Sequence, residues 1–158
     1  PLDALTIFSR NGCSLIQALP AIIQRISQQH SAPITRMGLA PLLNSLLQTS
    51  QQIIDDLAAE PLSWPAVPQR ILFGLQRYEW LFIAASCLLF WLNNPDKDNS
   101  LSRSKHWLPL CLTVIARNLG LTWTLEQYPA WQSLKRSFAD QPLSSADSLL
   151  AQEVLYGH

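Results

Sequence analysis

Apolar residues recur at three- and four-residue steps along most of this chain, the spacing of one face of a helix. In SLIQALPAIIQRISQQ, Leu15, Ile16, Leu19, Ile22, Ile23 and Ile26 keep that step, while Gln17, Gln24, Arg25 and Gln28 take the opposite side. Pro20 lies inside the pattern. It removes a backbone donor and crowds the preceding turn, which predicts a kink there or a later start near Leu19. A short helix over residues 2–10 is expected upstream, closed by Asn11-Gly12. The cleanest stripe follows in LAPLLNSLLQTSQQIIDDLAAE, where Leu39, Leu42, Leu43, Leu46, Leu47, Ile53, Ile54 and Leu57 oppose Asn44, Ser45, Gln48, Gln52, Asp55 and Asp56. Pro41 suits the first turn, where its missing N–H has no partner inside the helix. EPLSWPAVPQ then places Pro61, Pro65 and Pro68 in a stiff, extended connector that carries Trp64.

The next segment, about residues 66–92, loses its polar face beyond Glu79. From Trp80 to Leu92 only Ser86 is polar. A membrane span needs roughly 20 predominantly apolar residues. This run is shorter, with Gln76, Arg77 and Glu79 on one side and Asn93, Asn94 and Asp96 on the other. A helix apolar all round and too short to span predicts the buried centre of a bundle. NNPDKDNSLSRSKH reads as a loop, HWLPLCLTVIARNLG as a helix stopped by Asn118 to Gly120, and Pro129 as the opening of a helical piece with Trp131, Leu134 and Phe138 on one side. SSADSLLAQEVLYG predicts a last helix capped by Ser144 or Ser145 and stopped by Gly157. The expectation is all-α: one domain over residues 1–158, a bundle of five to seven helices around the central apolar helix.

Composition changes that picture in one respect. Charged residues make up only 14% of the chain and cancel, with 11 basic and 11 acidic side chains, where soluble domains average about 25% charged. Neutral polar residues wet the surface instead, and they give little mutual repulsion. Such a surface predicts association, with a protein partner or with a second copy. The same balance argues against nucleic acid, since phosphate binding rests on uncompensated Lys and Arg. Three cysteines, an odd count without a CxxC pair, suit a reducing compartment. PLDALTIFSRNG shows no basic-then-apolar leader, so a cytoplasmic location is expected.

Candidate chemistry is sparse. None of His30, His106 and His158 has a ligand-type residue three or four positions away, so no metal site is expected. Asp56 and Glu60 share a helix side, but opposite the leucine stripe, as a solvated face would. Cys87 and Cys111 sit inside apolar helical patterns and read as small core hydrophobes. Cys13, at a helix start, is the one thiol with a setting that could favour reactivity. No Gly-rich phosphate loop or GxSxG is present. No catalytic residue and no cofactor is therefore assigned. Ser102, Arg103, Ser104 and Lys105 precede a predicted helix and are candidates for an anion-binding or modification loop, against the plainer reading of a solvated loop.

Aromatic residues are the richer signal. Of six tryptophans, Trp64, Trp123 and Trp131, with Tyr128, are candidate partner contacts, because Trp and Tyr concentrate at interface hot spots. Core packing is the plainer reading of the three tryptophans. Together these features predict a non-enzymatic helical adaptor or accessory subunit that buries an apolar patch against a partner or itself. The alternative is a helical domain or small enzyme holding a hydrophobic small molecule between its helices.

Overall fold

The computed structural model describes residues 13–59, 69–94, 107–123, 126, 128–132 and 136, with Arg70 described by its backbone alone. Among these residues the chain forms six helices and no strand, an all-α architecture. They are α1 (Ser14–Gln17), α2 (Leu19–Gln29), α3 (Ser31–Arg36), α4 (Ala40–Ala59), α5 (Gln69–Asn93) and α6 (Trp107–Leu119). The expected helices over residues 2–10 and 144–156, the proline connector and the loop 95–106 lie outside the described residues.

Pro20 acts where the pattern placed it. The helix breaks at Ala18 and restarts at Leu19, with the proline in the first turn of α2, where its missing donor costs nothing. Pro41 likewise falls in the first turn of α4. The short α3 was not anticipated: six residues with Pro33 among them show no periodicity. It ends at Gly38, whose φ of 65° only glycine adopts without strain. There Gly38 N–H donates to the Thr35 carbonyl and Leu39 N–H to the Ile34 carbonyl, each at 3.1 Å. The same pair of bonds closes α6 at Gly120 (φ 72°), with Gly120 N–H to Arg117 O at 3.1 Å and Leu121 N–H to Ala116 O at 2.8 Å.

α5 has its main contacts with α1, α2, α4 and α6. Its buried side carries Ile71, Tyr78, Leu81, Ala84, Ala85, Leu88 and Leu92. The two alanines let neighbouring backbones come close, and the leucines fill the space between. From Tyr78 to Leu92 these share one core cluster with Leu19, Ile22 and Ile26 of α2, Leu42, Leu43, Leu46 and Ile53 of α4, and Leu108, Leu112 and Ile115 of α6. The α5–α6 pair is antiparallel. Arg77 donates to the Leu119 carbonyl at 3.4 Å, and Phe90 meets Trp107 edge-on at 5.6 Å. Arg77 thereby places its charge at the negative end of α6.

Among the described residues α5 is covered on one side, and Leu72, Phe73, Phe82, Ile83 and Phe90 are exposed, so burial all round is not what these residues present. An apolar sequence shows that a helix avoids water, but not which elements cover each of its sides.

Candidate interaction face on helix α5

The exposed apolar residues are ordered by helix geometry. Leu72, Glu79, Ile83 and Phe90 follow one another at steps of seven, four and seven residues, which on 3.6 residues per turn draws a line along the helix. Phe82 and Leu75 flank that line, and Phe73 stands off to its side. The extent of exposure decides their standing: Leu72 is 55% exposed, Phe82 46% and Ile83 41%, while core side chains such as Leu81 and Leu88 are fully buried. Leu75, Tyr78, Glu79, Phe82 and Ile83 line an open depression of about 480 Å³. The described lining comes from α5 alone, so among the described residues no second helix walls it.

Two ends of the face have partial company. The Arg77 guanidinium lies 5.8 Å from the Phe73 ring centre, and Phe90 leans on Trp107. The middle, Phe82 and Ile83, has neither. Glu79 is the one charged side chain among the described lining residues of an otherwise largely apolar depression.

The sequence-selected aromatics sit elsewhere. Trp123, Tyr128 and Trp131 belong to the core cluster and are buried. Trp123 Nε1 donates to the Gly38 carbonyl at 3.4 Å, tying the end of α6 to the α3–α4 turn. Burial pushes the Tyr128 hydroxyl above its usual range. These three pack in the core, and among the described residues the exposed aromatic rings are those of Phe73, Phe82 and Phe90. Trp64, Ser102, Arg103, Ser104 and Lys105 lie outside the described residues.

The thiols depart from the sequence reading. Cys87 on α5 and Cys111 on α6 are partly buried against the core rather than sealed in it. The influence of the Cys111 thiol, together with burial, pushes Cys87 up, and Cys87 in turn holds Cys111 below the usual thiol range. Cys13 precedes α1 in extended geometry. Burial pushes its thiol up, but the Ile16 and Leu15 N–H groups and the Tyr78 hydroxyl outweigh that and lower it. α1 is only four residues long, and no second group beside Cys13 points to a substrate. Among the described residues no group of three or more His, Cys, Asp or Glu could hold a metal ion, and no helix is long and apolar enough to cross a membrane.

The chain matches no protein-family model, no curated protein and no solved structure.

Proposed function

We propose that this chain is a non-enzymatic helical adaptor or accessory subunit that docks through the apolar face of α5. The observation that carries the proposal is the exposed line of Leu72, Ile83 and Phe90 with Phe82 beside it, on the helix that also organises the core. The partner is an apolar helical surface, on another protein or on a second copy, laid along α5. Covering a few hundred Å² of apolar area gives several kcal/mol at about 25 cal/mol per Å². Association itself costs about 4–15 kcal/mol, so the contact is specific but modest in strength. The neutral, weakly charged surface supports this reading, because it offers no long-range repulsion between copies.

Without its partner, the chain self-associates through the same face. Replacing Phe82 and Ile83 together by glutamate places two charges on the line and abolishes that association, leaving the helical circular dichroism unchanged. A double variant that is folded and associates like the wild type removes this function from α5. A wild-type chain that stays monomeric and carries a bound apolar molecule would favour the small-ligand alternative.

A further inference from the structure

We infer that the occupant of the α5 face is a second copy of this chain, its own α5 laid antiparallel across a two-fold axis beside position 81. The inference rests on the docking reading above and adds the partner, its direction and its register. The large hydrophobic side chains exposed among the described residues, Leu72, Phe73, Phe82, Ile83 and Phe90, all lie on this one helix. Down the middle of its exposed side run Leu72, Gln76, Glu79, Ile83, Ser86 and Phe90, at alternating steps of four and three residues. That alternation is the seam along which two long helices pack side by side. From Leu72 to Phe90 the seam is about 27 Å long at 1.5 Å per residue.

The order of residue types along the seam selects the partner. In an antiparallel pair of identical helices, facing positions have a constant sum of numbers, and a sum of 162 uses the whole line. Leu72 then faces the second copy's Phe90, and Gln76 faces its Ser86, apolar against apolar and polar against polar. At the centre Glu79 faces the second copy's Ile83, over the open depression that both positions line. A two-fold interface has to be self-complementary in this way, because every contact occurs twice with the roles exchanged. Parallel pairing instead sets each Glu79 against its own copy, two like charges in an apolar surround. Sliding the antiparallel pair by one heptad leaves both Phe90 rings uncovered.

The area agrees with a modest dimer. Aromatic side chains carry about 150–250 Å² each, so Phe82 at 46% exposure and Phe90 at 37% offer roughly 170 Å² together. With Leu72, Ile83 and the polar members the seam reaches a few hundred Å², and a second copy brings as much again. The total comes close to about 1,000 Å², where specific interfaces begin. Glu79 is the only charged residue on the seam, in keeping with the scarcity of charge at interface cores.

The test is charge complementation, read by sedimentation of the full chain over a range of concentrations. Leu72→Glu and Phe90→Lys are the single variants. Both side chains are exposed, and each new charge suits its end of the helix dipole. Alone, each variant sets two charges against apolar residues and is expected to weaken dimerisation about tenfold or more. The double variant Leu72→Glu/Phe90→Lys sets glutamate against lysine twice and is expected to dimerise about tenfold more tightly than either single variant. An equimolar mixture of the two single variants is expected to form mixed dimers. Circular dichroism checks the helix content, and the reversed pair, Leu72→Lys with Phe90→Glu, replaces any variant that loses it. Weakened single variants with no recovery in the double variant or the mixture would overturn this inference and leave α5 as a docking face in another arrangement. Single variants that dimerise like the wild type, or a wild-type chain that is monomeric throughout, would overturn it together with the docking reading.

Discussion

The backbone N–H of Cys13 donates a 2.6 Å hydrogen bond to the Tyr78 hydroxyl, joining the start of α1 to the middle of α5 across 65 positions. α1 has no side-chain cap of its own, so a tyrosine from another helix takes that role. Tyr78→Phe keeps the ring and removes the acceptor, leaving a part-buried N–H unpaired. A loss of about 1–2 kcal/mol is expected, read as a lower urea midpoint with an unchanged slope. A variant as stable as the wild type would show that this bond is replaced by water at no cost.

Gly74 faces Leu57 where α4 and α5 meet. A Cβ built there would lie 2.9 Å from Leu57 Cδ2, the far end of a flexible side chain. Alanine gains about 1 kcal/mol of helix propensity over glycine, and Leu57 gives some of it back in moving aside. Gly74→Ala is therefore expected within about 1 kcal/mol of the wild type. Gly74→Val drives a branched side chain against Leu57 and costs about 1–3 kcal/mol. Thermal unfolding of the two variants checks the contrast, and a valine variant as stable as the alanine one would contradict this close approach.

Core and surface aromatics part company under truncation. Trp123→Ala removes a buried ring and is expected to cost about 3–5 kcal/mol. Phe82→Ala removes a ring that is nearly half exposed and is expected to change monomer stability by no more than about 0.5 kcal/mol. Denaturant unfolding at low protein concentration measures both. The reverse order would mean that Trp123, and not α5, presents the interface.

How much of this was legible in the sequence depends on what periodicity can carry. The stripe of Leu42, Leu43, Leu46 and Ile53 fixed both α4 and its buried side, because polar residues marked the other. α5 offered no such contrast beyond Glu79. Its helical state and its failure to span a membrane could be read, but not which of its sides the chain covers. That depends on where α1, α2, α4 and α6 lie. Residue type could not separate Trp123 in the core from a tryptophan at an interface, since both settings favour a large ring.

The buried tyrosines contribute to the loss of stability at alkaline pH. Burial raises the hydroxyls of Tyr78 and Tyr128 above the unfolded value near 10. An acid whose pKa is raised on folding favours the folded state while it stays protonated. Its contribution is fully present below the unfolded pKa and is lost as pH rises from there through the folded value. Urea midpoints are expected to hold up to about pH 9 and to fall above about pH 10. Tyr128→Phe, which cannot ionise, should flatten that fall. An equally steep decline in the variant would assign it to other groups.

The most direct test of the central claim is the molar mass of the purified wild-type chain, measured by light scattering behind a sizing column at low salt and at about 0.5 M salt. If the exposed line on α5 is a docking face, the mass exceeds that of the 17.8 kDa monomer, rises with concentration and persists at high salt, because burial of apolar surface is not screened. A mass that stays at the monomer value across the concentration range, or an association that high salt dissolves, would contradict it.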